Sequence, residues 1–175
     1  MADQNCTTLE EIALGCHRNS GGMFKFYAGD MEDISAITEN ASTWMVSAMT
    51  VSVAPVDITI KRKTSNYTEV ETQDLGGAGS VEVVQTVNLM IPRREAAKSR
   101  ALNIMGSGQR YLYGIVKDAN GKYWYIPYLQ LSTTGEGSGT ERKDGSKYSV
   151  VLLADSDHLA YEIDSAVVAS ILAVS

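Results

Sequence analysis

From Trp44 to Val53 and from Val56 to Lys63, apolar and polar side chains alternate and β-branched residues are frequent. This predicts two half-buried strands, with Ala54-Pro55 between them as a turn, edge or bulge. A short aromatic strand is predicted over Met23-Phe24-Lys25-Phe26-Tyr27, ended by Ala28-Gly29-Asp30. Ser80 to Ile91 (SVEVVQTVNLMI) is the clearest long strand. Ahead of it, Lys61 to Asp74 (KRKTSNYTEVETQD) reads as a long solvated β-ribbon touched by the apolar Tyr67 and Val70. Gly76-Gly77-Ala78-Gly79 supplies the reversal, since glycine tolerates the positive φ such loops need.

At Pro92 the period changes. Arg93 to Met105 (RREAAKSRALNIM) places Ala97, Ala101, Ile104 and Met105 on one helical face, with Pro92 in the first turn and Gly106 and Gly108 as the stop. Strands then resume. Arg110 to Lys117 and Lys122 to Ile126 flank Asp118-Ala119-Asn120-Gly121, a strong hairpin signal. Tyr111, Tyr113, Tyr123, Trp124 and Tyr125 are therefore read as cross-strand packing. Thr133 to Ser146 (TTGEGSGTERKDGS) reads as a Gly-rich charged loop, mobile or ordered by a neighbour. Lys147 to Leu153 and Tyr161-Glu162-Ile163 are the last strands, and Leu9 to Leu14 suits a helical turn or two stopped by Gly15. The sum is a mainly β chain: an antiparallel β-sandwich or barrel with one flanking α-helix and a long extended β-ribbon. No linker or repeat divides it, so residues 1–20 are read as an N-terminal arm, 21–163 as a single β domain and 164–175 as a C-terminal tail.

Composition narrows the function classes. Of 175 residues, 44% are hydrophobic and 21% charged, which excludes a disordered or disulfide-dense chain. The net charge of -6 argues against a surface built wholly to grip nucleic acid or an anionic membrane. The first residues show no secretory signal pattern, so manufacture in a cytoplasm is expected. The apolar run from Ala166 to Val174 is too short to cross a bilayer and is expected to be a packed terminal segment or an arm between subunits. Cys6 and Cys16 have neither redox nor zinc spacing, and Cys16 beside His17 is a poor chelate, so free thiols and no metal are expected.

Catalytic constellations are weak. Ser156-Asp157-His158 superficially suggests a triad, but sequence neighbours point away from one another, so these three cannot form that geometry by themselves. Gly135-Glu136-Gly137-Ser138-Gly139 lacks the Lys-Ser or Lys-Thr of a phosphate cradle. Asp118 opens something like a calcium loop, yet its twelfth position is Leu129 instead of a bidentate Glu. Asn5, Asn40 and Asn66 begin glycosylation-type triplets that mean nothing without export. The acidic run Asp30, Glu32, Asp33 is either a solvated loop or a contact for a cation or a basic partner surface. Lys61-Arg62-Lys63 and Arg93, Arg94, Lys98 and Arg100 offer a phosphate-binding alternative, against which stand the acidic balance and the lack of an RNA-binding aromatic pattern. Neither an enzyme nor a cofactor is expected.

The order of phrases is more telling than any motif. A Gly-Gly-Met-Phe strand start is followed by the ribbon with Tyr67-Thr68-Glu69 and its Gly-rich turn, then VNLMIPRREAAKSRALNIM, the hairpin YGIVKDANGKYWYIP, and Gly-Thr-Glu-Arg-Lys-Asp-Gly-Ser-Lys-Tyr leading into VVLLADSDHLAYEI. From about Leu9 to Ile163 this layout resembles the tail-tube structural proteins of phages and prophages of Bacteroidetes bacteria. The resemblance implies a virion tail protein, made in the bacterial host cytoplasm, whose β domain assembles into hexameric rings stacked as a conduit for DNA ejection. It implies as partners other copies of the chain and other tail proteins (tape measure, tail terminator or baseplate), with DNA passing unbound and no membrane involved. A head–tail connector or adaptor ring is the alternative within the same architecture.

A polar ribbon is unstable alone and invites completion by a neighbour. A conduit for DNA should also lack dense positive charge, which suits the acidic balance. The expected contact residues between subunits are Tyr67, Glu69, Val70, Glu71 and Asp74 on the ribbon, Gly76 and Gly77 at its turn, Asp30, Glu32 and Asp33 in the acidic loop, and Gly135, Gly137, Arg142 and Lys143 in the Gly-rich loop.

Overall fold

The computed structural model describes residues 11–13, 16, 18–61 and 63–174. Ten strands dominate: β1 (Met23–Asp30), β2 (Ile34–Asn40), β3 (Met45–Val51), β4 (Val56–Ile58), β5 (Asn66–Gln73), β6 (Val81–Pro92), β7 (Leu112–Asp118), β8 (Tyr123–Gly137), β9 (Lys147–Ser156) and β10 (Tyr161–Ile163). Two helices accompany them, α1 (Ala96–Met105) and α2 (Ser165–Leu172). The protein is mainly β, an open sheet curled into a half-barrel, as the strand patterns predict.

One strand turns the sheet on itself. β8 pairs through its first half with β7 and β10, and through its second half with β9. Between the halves the register slips next to Pro127 and Tyr128, and again between Leu131 and Thr133. Tyr128 holds a positive φ of 55°. Bulges of this kind bend a strand and increase its twist. The result is one wing ordered β2-β3-β10-β8-β7-β1-β4 and a second ordered β8-β9-β6-β5.

Alternation then assigns each side chain to a core. Phe26, Ala28, Leu112, Val116, Ile126 and Leu129 face the interior between the wings, where they meet Val87, Leu89, Val150 and Leu152 from β6 and β9. The intervening Tyr27, Tyr113, Ile115 and Tyr125 face the opposite side and form a second core with Val46, Ile163, Val168 and Ile171. β1 and β7 are thus buried on both faces, so their sequences read as nearly continuous apolar runs. A Cβ on Gly114 would stand 2.5 Å from Leu129 Cδ1 and 2.9 Å from Phe26 Cε2, so the first core closes only over a residue without a side chain.

Several boundaries differ from the sequence expectation. Pro92 ends β6, paired with Lys147, and does not open the helix. Arg93 adopts φ 63° and α1 begins at Ala96. A strand already paired along its length carries the chain past the proline, overriding helical propensity. The Gly-rich stretch expected as loop from Thr133 is strand up to Gly137, because its backbone pairs with β9 from Val151 to Lys147 whatever its side chains. Residues 164–175, read as a tail, carry α2, with Asp164 accepting from the Ala166 N–H as N-cap and Val168 and Ile171 buried in the second core. The packed-segment reading of the apolar run holds. The predicted turns at Leu9 to Leu14 fall largely outside the described residues, and Glu11 to Ala13 are not helical.

Candidate self-assembly surface

β5 is an edge strand, paired with β6 from Asn66↔Asn88 to Gln73↔Val81 and with no strand on its other side among the described residues. β6 in turn pairs with β9 from Val83↔Ser156 to Pro92↔Lys147. The described residues therefore complete the ribbon on one side only. The expected contact residues divide by parity along β5. Tyr67 packs against the first core and donates a hydrogen bond to Glu69, whose other carboxylate oxygen accepts from the Ala160 N–H at 3.1 Å. Burial, then the neighbouring Glu69, holds the Tyr67 phenol well above its usual range. Tyr67 and Glu69 thus serve their own subunit's interior. Val70, three positions from Tyr67, falls on the opposite face and is 59% exposed, so it is not the intramolecular contact expected of it.

The ribbon's turn is self-supporting. The Asp74 carboxylate accepts from the N–H groups of Gly76 (2.9 Å) and Ala78 (3.3 Å), which lowers its pKa. Glu71 accepts from Gln73 Nε2 at 3.0 Å, and Gly77 lies in the exposed turn. In the acidic loop Asp30 pairs with Arg110 at 3.1 Å, and Asp33 accepts from Ser52 through its backbone oxygen and its carboxylate. Glu32 is exposed. Gly135 and Gly137 pair with Ser149 and Lys147. Beyond them the loop is ordered by Asp144, which accepts from the Thr140 and Glu141 N–H groups, while Arg142 is exposed and Lys143 pairs with Glu141 at 2.7 Å.

The alternative chemistries find little geometry among the described residues. His158 is wedged between aromatic rings, its centroid 4.9 Å from Tyr161 and 6.1 Å from Trp44, and its Nδ1 lies 2.9 Å from the Leu159 carbonyl. Ser156 Oγ accepts from the His158 backbone N–H, so the tripeptide forms a turn. No described cluster of His, Cys, Asp or Glu could hold a metal ion, and no described helix is long and apolar enough to cross a membrane. His17 and Arg62 lie outside the described residues. Arg93 and Lys98 both pair with Glu95, at 3.0 and 3.5 Å, which blunts the basic cluster. Asp118 works as the hairpin's anchor, accepting from Asn120 N, Lys122 N and Trp124 Nε1.

Two features escaped sequence reading. Gln85 is fully buried on the inner face of β6 with neither amide atom hydrogen-bonded, although it shares parity with Val83, Val87 and Leu89 and the alternation could have revealed it. A groove of about 560 Å³ between α1 and β4 had no sequence signal, because it joins segments some 45 residues apart.

No family model and no curated protein matches the chain. Two solved structures are similar in part. A chain from the virion of a native gene transfer agent particle aligns with TM-score 0.36 and 11% identity, covering 77% of this chain and 98% of that one. The crystal structure of Hcp1 from Salmonella typhimurium aligns with TM-score 0.38 and 10% identity, covering 81% and 100% respectively.

Proposed function

We propose that the protein is a non-enzymatic ring subunit of a phage tail tube, of the kind found in phages and prophages of Bacteroidetes bacteria. The observation that carries the reading is the half-completed ribbon: β5 offers a full strand edge with no partner strand among the described residues. Such an edge pairs readily with a second chain. Repeated around an axis, a heterologous contact of this kind closes a ring, and hexameric rings stacked on one another make a tube. Val70 on the outward face, the exposed Glu71 and the turn at Gly76 and Gly77 are the groups the ribbon offers to this seam. Asp30, Glu32, Asp33, Arg142 and Lys143 sit in loops suited to contacts between rings or with tape measure, terminator or baseplate proteins. The net charge of -6 suits passage of DNA without its being held.

Electron microscopy of the purified protein at high concentration tests the reading. Rings or tubes are expected; monomers alone, with no tube in particles that carry the protein, would sink it. Copy number separates a tube from a connector, since an open stack needs many tens of copies and a closed connector about one ring.

A further inference from the structure

Along β1 lie two features that fit each other, an apolar groove and a departing apolar segment. At the Asp30 end lies the apolar groove, walled by Ala101, Ile104 and Met105 of α1 and by Val53, Val56 and Ile58 of the opposite edge. Val56 is 67% exposed, Val53 57% and Ile104 45%. β4 pairs with β1 on one side only, so its other edge also lacks a strand partner among the described residues. An extended apolar segment laid there would gain both main-chain hydrogen bonds and apolar contact.

At the Met23 end the N-terminal segment leaves the body. Ser20 N donates to Asn120 Oδ1 at 2.8 Å, Asn120 Nδ2 donates to Asn19 Oδ1 at 3.2 Å, and Ala119 N donates to the Gly22 carbonyl at 2.9 Å. These bonds fasten residues 19–22 to the β7–β8 turn. Upstream, residues 9–14 read Leu-Glu-Glu-Ile-Ala-Leu, and Ile12 is 98% exposed, an apolar side chain without cover among the described residues.

β4 pairs with β1 from Phe26↔Ile58 to Ala28↔Val56, so along β1 the exit at Met23 and the open edge of β4 are about 10–17 Å apart at the usual strand rise. Residues 1–18 can extend up to about 60 Å, ample to cross into another subunit. To fill its own groove the segment would have to reverse at Met23 and run back alongside β4, against the direction in which it leaves the body. A second copy displaced along the direction of β1 presents its groove directly to the departing segment.

We propose that the groove between α1 and β4 receives the apolar N-terminal segment around Ile12 from a second copy of the chain, laid as an added strand along Val56–Ile58. The contact is heterologous and propagates from copy to copy. It goes beyond the ribbon seam, which could close a ring and leave this groove empty.

The test uses the full chain with Cys6→Ser and Cys16→Ser, adding Ile12→Cys and Val56→Cys, oxidised and run on a non-reducing gel. A ladder of disulfide-linked multimers is expected. Cross-linked monomers would assign the groove to the chain's own segment, and absence of any cross-link would leave it without this occupant; either overturns the proposal. Ile12→Asp alters an exposed position and leaves the fold intact, and it is expected to weaken self-association at least about tenfold in sedimentation velocity. If Ile12→Asp associates like the unaltered chain and still forms rings, the groove proposal falls while the ring reading stands.

Discussion

The β5–β6 ribbon and the β7–β8 hairpin are built from the same local ingredients and end in opposite environments. Each has alternating strands and a glycine-bearing turn, and in each an aspartate carboxylate accepts from two backbone N–H groups of the turn: Asp74 from Gly76 and Ala78, Asp118 from Asn120 and Lys122. β7 has strands on both sides and a core on both faces, while β5 has one strand neighbour and an outward face of Thr68, Val70 and Thr72. The difference teaches that a hairpin signal specifies pairing but not completion. Hydrogen bonds between two strands are local, whereas burial of both faces requires segments far along the chain.

Truncation should break this comparison most visibly. Ile115→Ala, in the second core, is expected to cost about 2–5 kcal/mol of subunit stability, whereas Val70→Ala should stay within about 0.5 kcal/mol. Urea unfolding of the isolated subunit checks both; equal costs would mean that β5 is as embedded as β7.

The two turns sharpen it further. Asp118 also holds the indole N–H of Trp124 at 3.2 Å, so Asp118→Ala should cost about 1–2 kcal/mol. Asp74→Ala removes bonds that water can replace and should cost clearly less. The Asp74 pKa is lowered by its backbone donors, so its contribution is complete above the ordinary carboxylate range and is lost as pH falls through the depressed value. Amide exchange at Gly76 and Ala78 should accordingly rise in acid, and an acid-insensitive turn would contradict the geometry.

The smallest effect concerns a hydroxyl. Tyr113 is fully buried with no partner for its Oη, and burial, with lesser contributions from Asp33 and Asp30, pushes its pKa up to about 12. A raised phenol pKa stabilises the fold fully below about pH 10, the unfolded value, and that contribution is lost as pH rises through the folded one. Tyr113→Phe should therefore stabilise the neutral protein by up to about 1 kcal/mol and flatten the alkaline fall in stability. Denaturation midpoints measured from pH 8 to 12 decide this, and an unchanged alkaline limb would show that the hydroxyl reaches water.

Much of the fold was legible where the signal was local. Period-2 alternation located β1, β3, β6 and β9, and Asn120-Gly121 located the hairpin. α1 was visible as a helix but misjudged in its face, since it buries Leu102 while Ala97, Ala101 and Ile104 stay exposed, and at its start, because pairing of Pro92 with Lys147 is a contact between distant residues. The strand in Thr133 to Gly137 was hidden for a similar reason: glycine-rich composition says loop, and only the presence of β9 alongside says strand. Of the candidate contacts, Val70 stands outward and Glu71 and Arg142 are exposed, while Tyr67 and Glu69 are drawn inward by the core and by Ala160 N. Parity along β5 separates Tyr67 from Val70, yet which parity faces in depends on the wing opposite.

The amino-acid order by itself determined that this chain makes mostly antiparallel strands, one amphipathic mid-chain helix and tight turns at its glycines, since these follow from side-chain period and backbone freedom over a few residues. Tertiary structure alone decided that β8 bends to join two wings, that β10 pairs in parallel with β3, that the terminal apolar run folds as α2 over a second core, and that β4 and β5 keep edges unpaired among the described residues. Each of those outcomes depends on which distant apolar surfaces meet. Local preferences leave that choice open, and burial makes it.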